Sequence, residues 1–428
     1  MNVRPDLATA RAVDDCLAGV ALLSLEQARG VILDGISEIS GIETRPITGL
    51  VGRIAATDIL SEVALPRFDN SAVDGFALHA DDLRRQTPLT LKIGGRAAAG
   101  HAMALALQPG TTARVLTGAK VPEGAAAIVL EERTTRSSTE VTFHFLPEIG
   151  GNIRGQGEDL SSGTIVVAKG TIIDARQIAI LAASGNARIP VKRKLRVGVL
   201  STGDELVEAG YETGPSSIVD TNGPMLRSLL GSSALAVSDL GIIADDRDEV
   251  ASALSDAASH LDLLITSGGV AGSDADHIEG AIVAAGGRCE TVKLALRPGK
   301  PIAKGSIGKM QVLALPGNPV AALVNFLLFG RPLIRSLLGA VEINKLNSSA
   351  RAGDIFSHKA GRTEFMPVSI KGYDRDGIPI ISKLGRGGSA RLLPLVMSDG
   401  FAEIDPDVGD LDRNAIVKFH PFSTAFSL

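Results

Sequence analysis

Cysteine is almost missing from this chain of 428 residues: Cys16 and Cys289 are the only two. That is too few for a disulfide framework or a thiolate metal site, and neither belongs to a CxxC pair, so both read as small buried apolar side chains. Histidine is sparse, seven scattered residues without HExxH or clustered metal spacing, which leaves them as surface or core residues. Long runs of positive charge are lacking and the net charge is −5, which speaks against nucleic acid as a main partner. No uncharged apolar run reaches the roughly 18 residues of a membrane span. Arg4, Asp6, Arg11, Asp14 and Asp15 break up any signal-peptide core, so a cytoplasmic location without a membrane partner is expected. The phosphate motif GxxxxGKS/T is absent, Gly299-Lys300 being followed by Pro301, and no GxGxxG follows a strand. P-loop nucleotide hydrolases and dinucleotide dehydrogenases are thereby disfavoured.

What is present is an ordinary globular composition, 45% apolar and 21% charged, with chain enough for about three domains. Residues 7–40 carry helical spacing in "CLAGVALL" and "LEQARGVILDGISEI", and Ser24 with Gln27 offers a capping box for the second of two helices. Residues 51–146 hold short apolar runs between Gly, Pro and charged turns, which predicts a small β domain. A Gly-rich connector, "EIGGNIRGQGEDLSSG", leads to strand-like "TIVVAKG" and helical "DARQIAILAASG". Residues 189–338 alternate strand and helix, from "LRVGVL" and "NGPMLRSLLG" to "MQVLAL" and "PVAALVNFLLFG". That alternation predicts βαβ units and a parallel sheet covered on both faces. Residues 339–428 return to strand-and-turn texture, a second small β domain.

Ligands of open parallel sheets bind beyond the carboxyl ends of the strands. The segments expected there are Ser201-Thr202-Gly203-Asp204-Glu205, Asp245-Asp246, Ser267-Gly268-Gly269 running on to Asp274 and Asp276, and Pro316-Gly317-Asn318-Pro319. Carboxylates converging on one edge repel each other unless a cation neutralises them, and an all-oxygen set favours Mg2+. Each segment alone also fits helix capping: Ser201-x-x-Asp204 and Ser273-x-x-Asp276 as capping boxes, Asp245-Asp246 as dipole partners, Asn318-Pro319 as N-cap and N1. Capping does not call for Gly203, Gly268, Gly269 and Gly317, which would let a backbone approach a phosphate or pterin. In "KLALRPGKP", Lys293, Arg297 and Lys300 form either an anion site or a solvated basic edge.

The stretch "LPRFDNSAVDGFAL", Leu65 to Leu78, sets a polar turn between Phe68 and Phe76 although only 3% of the chain is aromatic. It reads either as a bland loop or as one pinned at both ends by the two rings so that Asp74 is held for a metal or ligand.

Taken together, "LPRFDNSAVDGFAL", "RVLTGAKVPEGAAAIV", "GGNIRGQGEDL", "RVGVLSTGDEL", "VDTNGPML", "ITSGGVAGSDAD", "RPGKP" and "LPGNPVAALVNF" resemble the molybdopterin molybdenumtransferase family, the MoeA-type enzymes and the C-terminal domain of gephyrin. The resemblance covers nearly the whole chain. It implies a multidomain α/β plus β fold: a central parallel α/β domain of the molybdopterin-binding type (189–338), an inserted small β domain with the DNSAVDG loop (51–146), an elongated, discontinuous linker and dimerisation domain (1–50 and 147–188), and a C-terminal β-barrel-like domain (339–428). It also implies an activity, the Mg2+-assisted reaction of adenylylated molybdopterin with molybdate that gives molybdenum cofactor and AMP. A homodimer is implied, its cleft shared between subunits. The upstream molybdopterin adenylyltransferase and acceptor molybdoenzymes are the implied protein partners.

The same match carries roles onto single residues. Asp74, Asp159, Glu205, Asp245 and Asp276 fall at catalytic positions, and Asp74, Glu205, Asp245 and Asp276 at Mg2+-holding ones. Thr117, Asp220, Asn222, Gly268, Gly269, Lys293, Arg297, Lys300, Pro316, Pro319, Arg362 and Ser389 fall at substrate or oxyanion positions. Two departures stand out. Ala271, Gly272 and Ser273 replace a hydroxyl, an apolar residue and a glycine, and Arg297 stands where lysine is common, a fork in place of a point charge. Two other readings are a non-catalytic cofactor-binding or scaffold protein on the same fold and an unrelated Mg2+-dependent phosphohydrolase.

Overall fold

The computed structural model describes residues 22–270, 277–341, 348–384 and 388–425. The chain divides into two compact units, Ile42–Val191 and the remainder, Met1–Gly41 with Lys192–Leu428.

Within Ile42–Val191, the run predicted as a β domain forms one six-stranded sheet. Gly75–His79 lies between Thr111–Val115 and Ala125–Leu130 in it, antiparallel to both. Successive side chains of a strand point to opposite faces. Phe76 and Leu78 enter one core with Val129, Val141 and Phe143, while Ala77 enters another with Ala113, Val115 and Ile128. A separate cluster of Leu50, Ile59, Val167, Ile173, Leu181 and Ile189 builds a further core from the segments flanking the sheet.

In the other unit, Ser24 and Gln27 do form the capping box that opens helix Leu25–Leu33; the first expected helix lies largely outside the described residues. The alternating region yields strands β1 (Leu195–Thr202), β2 (Leu235–Ile243), β3 (Leu263–Ser267), β4 (Arg288–Lys293), β5 (Pro301–Ile307) and β6 (Met310–Leu315), in the order β2-β1-β3-β6-β5-β4. Strands β2, β1, β3 and β6 are parallel, as the alternation predicts. The expectation of an all-parallel sheet needs correction at one edge, because β4 and β5 are antiparallel. Gly308-Lys309 turns β5 straight into β6 with Gly308 at φ +56°, a hairpin that needs no crossover helix. Helices α1 (Asn222–Leu229) and α2 (Arg247–Ala258) link parallel strands, α3 (Ile278–Ala284) leads from β3 to the edge strand β4, and α4 (Pro319–Asn325) follows β6. Leu200, Leu254, Leu264, Ile278, Ile282 and Val312 share one core. The helical run Pro319–Leu338 is long and apolar enough by length and composition to cross a membrane, yet most of it is buried in the fold.

The last domain has strands β7 (Ser348–Ala352), β8 (Thr363–Tyr373), β9 (Pro379–Lys383), β10 (Gly400–Ile404) and β11 (Ile416–Pro421). They pair in the order β8-β9-β7-β11-β10, and β10 pairs back onto β8, closing a five-stranded barrel. Phe356, Val368, Ile381 and Phe419 fill it. The two-residue strand Leu296–Arg297 adds to β8 in parallel, which sets Arg297 opposite Glu364.

Candidate functional site

The carboxyl ends of β1, β3 and β6 open into a cavity of about 720 Å3. Glu205, Asp220, Asn222, Asp245, Gly268, Gly269, Lys300, Pro316, Pro319 and Ser389 all line it, so most of the residues expected at this edge are brought together. Asp220 is buried and fully used: Oδ2 accepts from Ser201 Oγ (2.8 Å), and Oδ1 accepts from the amides of Asn222 and Gly223 (3.0 Å each). Asn222 Nδ2 donates to Ser267 Oγ and to the Gly317 carbonyl, 2.7 Å each. These bonds tie the ends of β3 and β6 to the start of α1. Asn222 Oδ1 and Thr202 Oγ1 are buried without a hydrogen-bond partner, and unmet buried polar groups beside a cavity invite a polar ligand.

The glycines act differently from the expectation that they clear space only for a ligand. A Cβ on Gly268, at φ +103°, would sit 2.3 Å from the Thr202 carbonyl oxygen, so its backbone is pressed against β1 itself. A Cβ on Gly203 would meet the Glu205 carboxylate at 2.8 Å.

The acidic edge separates into two jobs. Asp246 Oδ1 accepts from the amides of Asp248 and Glu249, 2.9 Å each, and caps α2. Asp245 does not cap. Burial, and then the charges of Asp204 and Glu205, push its carboxyl above the ordinary range; Asp204 Oδ1 accepts the Asp245 amide at 3.0 Å. The capping-box reading of Ser201-x-x-Asp204 fails, since Ser201 lies in β1 and gives its hydroxyl to Asp220. Asp274, Ser273 and Asp276 lie outside the described residues. Among the described residues no three His, Cys, Asp or Glu side chains gather closely enough to hold a metal ion. The repulsion raising Asp245 is nonetheless what a cation at Glu205 and Asp245 would relieve.

A second cavity, about 560 Å3, lies between Leu296–Lys300 and the barrel and shares Gly299, Lys300 and Ser389 with the first. Arg297, Lys300, Lys359, Arg362 and Lys383 line it against a single carboxylate, Glu364. Of the basic run, Arg297 and Lys300 line this cavity, the Arg297 side chain remaining 61% exposed. Lys293, at the end of β4, lines neither cavity. His358, Glu364 and Lys383 were not expected here: "GRTEFM" carries no motif that singles out Glu364, and the loop leading into β8 folds His358 back beside it.

In the Ile42–Val191 unit, Asp74 and Thr117 meet. Asp74 Oδ1 accepts from Thr117 Oγ1 (2.6 Å) and from the Thr117 amide (2.7 Å). That hydroxyl bond first, then the amide, hold the Asp74 carboxyl below its usual range. Phe76 does anchor the turn, packed edge-on against Phe143 at 6.5 Å. Phe68 does not, being 41% exposed. Backbone pairing does that work instead, Leu65 with Leu160, Asn70 with Arg154 and Ser71 with Ile153. The "GEDL" loop carrying Asp159 is thus laid along the turn, the Asp159 amide donating to the Leu65 carbonyl at 3.0 Å.

A largely parallel α/β sheet with a glycine-lined cavity at its strand ends, beside a cleft lined by five cations against a barrel, defines an α/β protein with its candidate ligand site at the carboxyl ends of the strands. Three family models match in order: "MoeA N-terminal region (domain I and II)" over residues 23–185, "Probable molybdopterin binding domain" over 198–336, and "MoeA C-terminal region (domain IV)" over 349–422. The molybdopterin molybdenumtransferase of Haemophilus influenzae is 35% identical over 407 residues, covering 94% of this chain and 99% of that protein. Molybdopterin molybdenumtransferase 2 of Mycobacterium tuberculosis is 34% identical over 85% of this chain and 91% of its own. A crystal structure of the molybdopterin biosynthesis MoeA protein from Pyrococcus horikoshii superposes with a TM-score of 0.77 at 32% identity, covering 94% of this chain and 99% of that one. The chain belongs to the molybdopterin molybdenumtransferase, or MoeA, family.

Proposed function

We infer that the protein catalyses molybdenum insertion into adenylylated molybdopterin, releasing AMP and completing the molybdenum cofactor. The observation that carries this reading is the adjacency of the two cavities, which share Gly299, Lys300 and Ser389 as lining. A pterin nucleotide in the first would lie beside an oxyanion in the second, as a reaction between them requires.

In this reading Asn222, Gly268, Gly269, Pro316 and Pro319 shape the nucleotide cavity, and Asp220 acts by holding the start of α1 in place. Arg297, Lys300, Arg362 and Ser389 receive molybdate, with Lys293 a more distant basic neighbour. Glu205 and Asp245, joined by Asp276, would hold Mg2+, which when bound offsets charge on the adenylyl phosphate. Asp74, Thr117 and Asp159 belong to an exposed edge of the Ile42–Val191 unit, and we propose that a homodimer delivers them to the cavity of the second subunit. The separate core of Leu50, Ile59, Val167, Ile173, Leu181 and Ile189 supports a linker and dimerisation domain built from the segments flanking the β domain, although Met1–Gly41 groups with Lys192–Leu428 and not with it. A cytoplasmic location and exchange with the upstream adenylyltransferase and acceptor molybdoenzymes complete the proposal.

The test is AMP release from adenylylated molybdopterin. Release that depends on molybdate supports the transferase. Absent release reduces the protein to the binding or scaffold alternative, and molybdate-independent hydrolysis of simple nucleotides points to a phosphohydrolase.

A further inference from the structure

The cationic cleft contains one group of the wrong sign. Glu364 projects from β8 into a wall made of cations, where a carboxylate would repel any oxyanion the cations attract. Its surroundings are asymmetric. Oε1 lies 3.5 Å from Arg297 Nε, set there by the register of the short parallel pair. Oε2 is buried without a hydrogen-bond partner, 3.9 Å from His358 Nε2. His358, whose side chain is 1% exposed, faces a carbonyl with each ring nitrogen, Val408 O at 2.7 Å and Arg362 O at 3.0 Å. Both ring nitrogens are thus engaged by backbone carbonyls in preference to Glu364. The remaining charge facing Glu364 is Lys383 at the end of β9, and on the β10 side its register partner is the apolar Ile404.

We propose that Glu364 is a proton-carrying positioning residue of the oxyanion cleft: as carboxylate it holds Arg297 back, and as neutral acid it frees Arg297 for the bound anion. This rests on the reading of the cleft as the molybdate site and adds a regulation to it. The orphaned Oε2 is the atom that would carry the proton. Burial pushes the Glu364 carboxyl up, against the pull of Arg297, His358 and Lys383, and a dianion bound beside it would act in the same direction. Binding a dianion and taking up a proton then become one linked event.

The experiment is calorimetry of the full-length protein with sodium molybdate alone, in buffers of different ionisation enthalpy, between about pH 6.5 and pH 8.5. Wild type is expected to take up as much as about one proton per molybdate bound and to lose about tenfold in affinity as pH rises across that range. Glu364→Gln, a neutral side chain of the same shape, is expected to bind without proton uptake, and at the alkaline end about tenfold more tightly than wild type. Binding by wild type with no proton uptake would overturn the proposal and leave the cleft's assignment standing, a result that does not depend on the variant folding. Equal proton uptake in Glu364→Gln would move the proton to another group and equally overturn it. Absence of any molybdate binding would remove the oxyanion reading together with the proposal.

Discussion

Thr117 and Asp74, 43 positions apart, meet through two hydrogen bonds that both end on Asp74 Oδ1, one from the hydroxyl at 2.6 Å and one from the amide at 2.7 Å. The pair fixes an exposed carboxylate that no core packing holds. Thr117→Val keeps the size and the amide but removes the hydroxyl. Turnover should fall on the order of tenfold while the melting temperature stays put, and Thr117→Ser should restore most of the rate. AMP release and a thermal melt of each variant check this.

Asp262 opens a second test, on stability alone. It is clamped by Arg193 (2.6 and 2.9 Å), by Arg196 Nη2 (2.9 Å) and by the Arg196 amide (2.9 Å). Although burial opposes ionisation, these donors hold its carboxyl far below the usual range. A depressed carboxylate contributes stability that is complete above its unfolded pKa, about 3.9, and drains away as pH falls below that. Asp262→Asn should therefore cost about 2 kcal/mol at neutral pH, discounting the exposed Arg196. The difference from wild type should shrink below about pH 4. Urea unfolding across pH measures it.

Cys289 should be inert in the native protein. Burial, with Glu279 adding, pushes its thiol up to about 11, and only the thiolate attacks alkylating reagents. Iodoacetamide at mildly alkaline pH should leave the Cys289 peptide unmodified until denaturant is added, as peptide mass mapping would show.

Gly268 carries the tightest backbone approach at the strand-end cavity. Gly268→Ala would place its Cβ 2.3 Å from the Thr202 carbonyl at a φ of +103°, so β1 and β3 must part. A loss of about 2–4 kcal/mol in urea unfolding is expected, with turnover lost as well.

Much of this was legible in the sequence because local chemistry and global fold agree. Strict strand–helix alternation gave away the four parallel strands, and Ser24 with Gln27 marked a helix start that the structure reproduces. Two things stayed hidden for physical reasons. The β4–β5 pair stayed hidden because its strands mix Lys, Arg and Glu with the apolar residues, so periodicity is weak. The meeting of Arg297 with Glu364 and its neighbour His358 joins a two-residue strand to a barrel strand and the loop before it, far along the chain, and proximity of that kind leaves no motif. Phe68 misled because an aromatic residue beside a polar turn suggests an anchor, whereas strand pairing alone fixes that end.

Asp245 bears most directly on the proposed mechanism. Its carboxyl is raised by burial and by Asp204 and Glu205, so its ionised form costs the fold stability as pH climbs through that raised value. Removing the charge relieves that cost. Asp245→Asn should therefore melt higher than wild type at neutral pH, respond less to added Mg2+, and release AMP on the order of a hundredfold more slowly in a single turnover. A variant that melts no higher, gains as much from Mg2+ as wild type does and turns over at the wild-type rate would contradict the assignment of this acidic edge to the chemistry.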